Sequence, residues 1–135
     1  EARLRQVEIR FEHPEQAIWI QGDNAELRQV FVNLLHNAMH AMTQGGVVSI
    51  EIETSNASVV VIRISDTGVG IPPENLSRIF LPFFSRRADG QAGMGLGLAV
   101  CKSIVDRCGG TIAVASELGK NTVFTITLPL ALGVS

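Results

Sequence analysis

The stretch DNAELRQVFVNLLHNAMHAM, residues 23–42, is the segment on which the prediction of the fold depends. Asp23 with Glu26 three residues later is a capping-box signature for the start of a helix. The apolar residues that follow recur with the 3.6-residue period of an amphipathic helix, so one side of this helix should face a core. These residues are Leu27, Val30, Phe31, Leu34, Leu35, Ala38, Ala41 and Met42. The glycines of Gln44-Gly45-Gly46 predict the end of the helix.

The segments around this helix predict a sheet and further helices. Alternating and β-branched runs indicate strands at residues 7–11, 17–20, 47–54, 59–65, 111–116 and 122–128. The third and fourth strands form one hairpin, and the last two form another. Pro72-Pro73 allows a short helix to about Ile79, and a longer helix should run from about Gly95 to Cys108. This order predicts a two-layer α/β (α+β) sandwich, whose largely antiparallel sheet is covered on one face by about three helices.

The composition fits one globular domain over residues 1–135. The chain has 46% apolar and 18% charged residues, which is enough to bury a core. A net charge of -2 gives no basic face for nucleic acid or for a membrane surface. Since the chain begins at Glu1, we expect it to be a fragment of a longer protein. Cys101 and Cys108 lie about 10 Å apart along one predicted helix, so they should be free thiols.

Polar side chains form a stripe along the first helix, beside its apolar face. Asn33, Asn37 and His40 are spaced i, i+4 and i+7, so they lie on one side of the helix. A single asparagine there is explained by a solvated face, but asparagine is a middling helix former and two of them need a reason. An amide oxygen is a hard ligand that suits Mg²⁺, which takes its other ligands from water and phosphates. The stripe therefore predicts a magnesium ligand.

Asp66-Thr-Gly68-Val-Gly70 follows a strand, and its acidic residue comes where that strand ends. A carboxylate there can accept a hydrogen bond from an exocyclic amine, which distinguishes adenine from guanine. Gly68 and Gly70 would leave room for a flat base. Taken alone, this stretch is also an ordinary Asp-Thr-Gly turn. Retroviral-type aspartic proteases use Asp-Thr-Gly as well, but they need an all-β chain, and two amphipathic helices argue against that class.

The stretch Gly93-Met-Gly-Leu-Gly-Leu98 leads directly into a helix. Free N–H groups at a helix N-terminus suit phosphate oxygens. The spacing is neither that of a dinucleotide fold nor that of a P-loop. Arg86 and Arg87 lie in a predicted mobile loop, residues 85–95, where they are either counter-charges for a terminal phosphate or solvated surface residues. His13, His36 and His40 have no Cys, Asp or Glu partner at the spacing of zinc ligands.

In this order, these motifs resemble the ATP-binding catalytic domain of two-component sensor histidine kinases, within the gyrase, chaperone, histidine kinase and MutL group. The resemblance runs from about Asp23 to Pro129. Residues 33–38 resemble the N box, 66–70 the first glycine box, 80–84 the F box and 93–97 the second glycine box. Gly109-Gly110-Thr111 and Thr122-Val-Phe124 also fit.

The resemblance implies a Bergerat-type fold that binds Mg-ATP under a lid. Asn37 would hold the magnesium ion, Asp66 would read the adenine, and Thr122 would support it through water. The nucleotide-binding residues so implied are Asn37, Asp66, Gly68, Gly70, Ile71, Phe84, Arg86, Gly93, Met94, Gly95, Leu96, Gly97, Leu98 and Thr122. Asn33, His40 and Arg87 are the implied catalytic residues. Asn33 stands where ATPases of the group have a glutamate base, and an amide cannot act as a base. That favours transfer of phosphate over hydrolysis.

The resemblance also implies partners for this domain. The γ-phosphoryl group would pass to a histidine on a separate dimerisation domain of the same parent, and then to a response regulator. No histidine of this chain lies in a phospho-accepting box. The domain would be cytoplasmic and monomeric, within a parent that is an inner-membrane sensor. His40 replaces a usual lysine or arginine, and Arg86-Arg87 resembles Thr-Lys of the nitrogen- and dicarboxylate-sensing subgroup. The alternative is a nucleotide-binding regulatory module or an anti-sigma-type serine kinase.

Overall fold

The computed structural model describes residues 7–12, 20, 22–55, 58–82 and 97–130. Its strands are β1 (Val7–Glu12), β2 (Gly46–Ser55), β3 (Val59–Asp66), β4 (Thr111–Glu117) and β5 (Asn121–Pro129). Its α-helices are α1 (Asn24–Ala41) and α2 (Gly97–Arg107), and one 3-10 turn covers Pro73–Asn75. Both predicted hairpins, both long helices and the first strand are therefore confirmed.

The strands form one mixed sheet in the order β1-β2-β3-β5-β4. The two hairpins join through the antiparallel pair β3 and β5, and β1 runs parallel to β2 along one edge. In this register the last residue of β3, Asp66, lies opposite Thr122 of β5. Two polar residues that are 56 positions apart in the sequence thus meet at one end of the sheet.

One face of the sheet is covered by α1 and α2, which confirms the two-layer architecture. Along β3 and β5 every second residue is buried. The buried set from these strands is Val60, Ile62, Ile64, Phe124, Ile126 and Leu128, and the helices add Val30, Leu34, Ala38, Cys101, Ile104 and Val105. Burial of this apolar surface, at about 25 cal/mol per Å², is what holds the helices in place over the sheet.

The start of α1 differs in one respect from a full capping box. Asp23 Oδ1 accepts a hydrogen bond from Glu26 N at 3.0 Å, as the sequence predicts. In a full capping box the carboxylate of Glu26 would accept a hydrogen bond from the backbone N–H of Asp23. Here it pairs with Arg107 in the last turn of α2. Both side chains of this pair are about half exposed, so it adds little stability. Its effect is to join the N-terminus of α1 to the C-terminus of α2.

One element differs from its prediction, and another lies mostly outside the described residues. The predicted helix from Pro72-Pro73 to Ile79 is a single 3-10 turn followed by further turns. The reason is a series of i to i+3 hydrogen bonds, such as Asn75 N to Pro72 O and Arg78 N to Asn75 O, which favour 3-10 over α geometry. Of the predicted strand at 17–20, only Ile20 is described, and it forms an isolated bridge with Leu130.

The two cysteines are free thiols, as predicted. Cys101 is fully buried between the helices, and its Sγ donates to Val30 O at 3.6 Å. Burial raises the pKa of the Cys101 thiol to about 11. Cys108 is half-buried. Among the described residues, neither α-helix is long and apolar enough to cross a membrane.

Candidate functional site

Asp66 is a buried residue that begins the turn at the end of β3. The residue is 3% exposed, and its Oδ1 accepts a hydrogen bond from Gly68 N at 2.8 Å. The carboxylate therefore stabilises its own turn, as aspartate does in many Asp-Thr-Gly sequences. A buried carboxylate at a strand end is also the acceptor that the sequence predicted for an exocyclic amine.

A side chain on Gly68 or on Gly70 would point into space that the protein itself fills. A Cβ atom added to Gly68 would lie 2.5 Å from Ala41 O, and one on Gly70 would lie 2.4 Å from Glu117 O. Gly70 also has a φ of +77°, which side chains other than glycine rarely adopt. Close packing of backbone against backbone is thus one reason for the small size of both residues, and the room that they would leave for a base stays a prediction.

Hydrogen bonds hold this turn from three sides. Val69 N donates to Ala41 O at the end of α1, at 3.0 Å. Gly119 N in the β4–β5 turn donates to Val69 O at 2.7 Å. Thr67 N donates to Val47 O at 3.2 Å, and Val47 N donates to Thr67 Oγ1 at 3.0 Å. The turn after β3 is thus anchored to α1, to β2 and to the β4–β5 turn, which makes it a preformed wall.

Thr122 lies opposite Asp66 and is 1% exposed. Its Oγ1 is 3.0 Å from Ser116 Oγ. The Ser116 hydroxyl also accepts from Ile71 N at 2.7 Å and donates to Asn121 O at 2.6 Å. The predicted adenine end therefore has a partly buried network of hydroxyl groups, with Asp66 opposite on the neighbouring strand.

Sequence reasoning missed Ser116. The available signal is its place in β4, where Ile112 and Val114 alternate toward the inner face and Ser116 continues that alternation. A serine at an inward position needs hydrogen-bond partners. Those partners come from a turn and from a neighbouring strand, so the sequence alone does not reveal them.

Two predicted nucleotide contacts belong to the apolar core. Ile71 has no exposed surface. Leu98 is half-buried and packs against the core from the first turn of α2. Both residues support the walls of the site in the described structure.

The asparagine stripe of α1 meets the start of α2. Asn33 Nδ2 donates to Gly97 O at 3.1 Å, and Asn33 Oδ1 accepts from Gln29 Nε2 at 2.7 Å. This contact brings the N-terminal end of α2, where the glycine-rich loop finishes, against the helix that carries Asn37. Asn37 itself is half-buried one turn further along α1. The two motifs that the sequence predicted to share a site are therefore adjacent.

His40 is exposed at the end of the stripe, where it contacts a second histidine. The rings of His36 and His40 are 5.9 Å apart, edge to face. Among the described residues there is no group of three or more His, Cys, Asp or Glu side chains that could hold a metal ion. An ion at Asn37 would take most of its ligands from water and phosphate, which is the habit of Mg²⁺. The donors present thus fit Mg²⁺ bound together with a nucleotide.

Several predicted site residues lie outside the described residues. They are Phe84, Arg86, Arg87, Gly93, Met94, Gly95 and Leu96, together with the whole loop at 85–95. Their roles at the phosphate end remain predictions.

Comparison with known proteins gives a consistent result. Residues 22–132 match the family described as histidine kinase-, DNA gyrase B-, and HSP90-like ATPase. The sensor histidine kinase ZraS of Salmonella typhimurium is 43% identical over 130 residues, which are 96% of this chain and 27% of that protein. Sporulation kinase C of Bacillus subtilis is 42% identical over 111 residues, or 82% of this chain and 25% of that protein. The chain therefore spans about a quarter of the length of these relatives.

Solved structures of the same kind are similar in three dimensions. The mycobacterial sensor histidine kinase MprB has a TM-score of 0.81 at 29% identity, with 92% of this chain and 84% of that chain covered. The catalytic domain of histidine kinase ThkA has a TM-score of 0.79 at 30% identity, with 91% and 80% covered. Full-length ShkA in complex with AMPPNP has a TM-score of 0.81 at 29% identity, with 96% and 27% covered.

Proposed function

We propose that this chain, which belongs to the histidine kinase-, DNA gyrase B-, and HSP90-like ATPase family, transfers the γ-phosphoryl group of Mg-ATP to a histidine on another domain. Within that family it is the catalytic ATP-binding domain of a sensor histidine kinase. Transfer is preferred over hydrolysis here because of the amide of Asn33, which donates a hydrogen bond to Gly97 O at the end of the glycine-rich stretch. An amide cannot take a proton from water. A site with an amide at this point favours transfer to a protein acceptor over hydrolysis.

The adenine end of the proposed site is the buried pair Asp66 and Thr122. Asp66 would accept a hydrogen bond from the 6-amino group of the base, and the preformed turn fixes the position of that carboxylate. Because both residues are buried, a base that leaves their hydrogen bonds unmade would bind with a less favourable free energy. This arrangement supports a preference for adenine nucleotides.

The phosphate end of the proposed site is the start of α2 with the asparagine stripe of α1. Phosphoryl transfer depends mainly on positioning and on neutralising charge. The free N–H groups of the first turn of α2 would hold phosphate oxygens. Asn37 would hold Mg²⁺, which supplies charge neutralisation between the phosphates. Arg86 and Arg87 would add positive charge near the transferred group, and His40 would take the place that a lysine or arginine has in many relatives.

The partners in this proposal follow from the family. The acceptor histidine would lie on a dimerisation domain of the parent protein, and a response regulator would take the phosphoryl group next. We place the domain in the cytoplasm, with a parent that is an inner-membrane sensor. The similarity to sensor kinases that are about four times as long supports a parent with further domains.

The test of this function mixes the chain with γ-labelled Mg-ATP and a helical hairpin that carries the acceptor histidine of a candidate parent. We expect label on the hairpin and none on the same hairpin with that histidine changed to alanine. We also expect little phosphate release by the chain alone. Fast phosphate release without a hairpin would contradict transfer. Label on serine, or tight ATP binding with no transfer to any hairpin, would favour the regulatory-module or serine-kinase alternative.

A glycine at the start of α2 gives a direct test of the phosphate site. A Cβ atom on Gly97 would meet Asn33 Cγ at 3.9 Å, an ordinary contact. We expect Gly97→Ala to fold with unchanged thermal stability and to bind ATP about tenfold more weakly, or about 1.4 kcal/mol, because the methyl group crowds the phosphates. Adenosine affinity, which has no phosphate contribution, should not change.

The control is Gly68→Ala, where a Cβ atom would strike the backbone of α1 at Ala41. We expect that variant to lose about 1–3 kcal/mol of unfolding free energy through overpacking. If Gly97→Ala binds ATP as the unchanged protein does, phosphates do not approach this turn of α2.

A further inference from the structure

Ser116 ties the turn after Asp66 to the strand that carries Thr122. Its hydroxyl oxygen lies 2.7 Å from Ile71 N, 2.6 Å from Asn121 O and 3.0 Å from Thr122 Oγ1. A serine hydroxyl has one proton to donate and two lone pairs to accept with. With three partners, its hydrogen-bonding capacity is filled.

The chemistry of the partners fixes the direction of each hydrogen bond. Ile71 N–H only donates, and the Asn121 carbonyl only accepts, so the Ser116 proton points to Asn121. The contact at 3.0 Å is then a donation from Thr122 to Ser116. Thr122 is left with lone pairs, and no proton, for any other neighbour.

We infer that Ser116 is a positioning residue that sets the nucleobase specificity of the site by holding the Thr122 proton away from the base. This inference rests on the proposed function, because it needs the base to lie beside Asp66 and Thr122. The Asp66 carboxylate and the Thr122 hydroxyl then both act as acceptors. A base with a 6-amino group finds partners there, whereas a base with a 6-oxo group faces oxygen lone pairs.

The burial of this end of the site strengthens the effect. Asp66 is 3% exposed and Thr122 is 1% exposed. At such burial, bulk water offsets little of a mismatch between two acceptors, and each unmade hydrogen bond costs more than it would at the surface. Rotation of the Thr122 hydroxyl toward a 6-oxo group would relieve the mismatch. Ser116 opposes that rotation because it accepts the proton.

The test compares ATP with inosine triphosphate, whose base has a 6-oxo group in place of the 6-amino group. Affinities are measured by calorimetry for the unchanged chain and for Ser116→Ala. We expect the ATP-to-ITP affinity ratio to fall about tenfold in Ser116→Ala, since the Thr122 proton becomes available to the 6-oxo group. Ser116→Thr keeps a hydroxyl and should keep the ratio. The matched control is Ser65→Ala, on the opposite face of the sheet, which should also keep it.

A loss of affinity that is equal for both nucleotides in Ser116→Ala would mean that Ser116 only supports the fold, and would overturn the inference. Ser116→Cys is the second variant, for the case that the alanine form does not fold. Its thiol is a weak acceptor of similar size, so the ratio should fall by a smaller factor, and a wild-type ratio would again overturn the inference. If the unchanged chain binds neither nucleotide, the proposed function itself fails. If it prefers ATP and both Ser116 variants keep that preference, only this inference fails.

Discussion

Asp66→Asn should lower ATP affinity by about 10- to 100-fold, the equivalent of about 1.5–3 kcal/mol for a hydrogen bond to a charged group, and should raise affinity for inosine triphosphate. Asparagine keeps an oxygen for Gly68 N–H, so that hydrogen bond of the turn after β3 is retained. Its amide then places a donor where the carboxylate offered an acceptor. The 6-amino group of adenine is also a donor, so the two groups cannot form a hydrogen bond. The 6-oxo group of inosine is an acceptor and can take a hydrogen bond from the amide.

Calorimetric titration of both nucleotides measures this change directly. Asp66→Ala is the comparison variant. It removes the Gly68 hydrogen bond as well, and should therefore lose stability and lose both nucleotides without a gain for either. An ATP-to-ITP ratio that is the same in Asp66→Asn as in the unchanged chain would contradict the assignment of Asp66 as the adenine reader.

Asn37→Ala should weaken binding of Mg-ATP by about 10- to 100-fold and leave binding of ATP in EDTA almost unchanged. The reason is that the amide oxygen is proposed as the protein's ligand to Mg²⁺, while the phosphates and the base have other partners. Asn37 is half-buried on α1, so the stability of the variant should be measured as well. Titrations with and without Mg²⁺ give the two affinities.

The matched control on the same helix is Val32→Ala, whose side chain is 45% exposed. It should leave both affinities unchanged. Equal losses with Mg²⁺ and with EDTA in Asn37→Ala would mean that Asn37 supports the fold of the site and does not hold the metal.

The elements that sequence reasoning predicted well are those with a strong period. α1 carries an apolar residue at nearly every expected position from Leu27 to Met42, and β3 and β5 alternate along their length. Such patterns report directly which side of an element faces the core. The Pro72-Pro73 segment carries no such period, and a proline start is compatible with either helix type, so its 3-10 geometry was not predictable.

The contacts of the site were harder to predict than its residues. Asn33 and Gly97 are 64 positions apart, and their hydrogen bond depends on how α1 and α2 pack. Ser116 has no motif of its own, because its partners are set by the register of β4 on β5 and by the turn before Ile71. The packing role of Gly68 and Gly70 was not predictable for the same reason, since only the folded chain shows which backbone atoms press against them.

The backbone wall after β3 has a consequence for inhibition of this site. Side chains cannot be added at Gly68 or Gly70 without striking Ala41 or Glu117, so mutation cannot easily reshape that wall. Thr67 and Val69 are the residues of this turn whose side chains are exposed. A competitive inhibitor that packs against the wall at Gly68 and Gly70, and avoids the side chains of Thr67 and Val69, would leave few routes to resistance there.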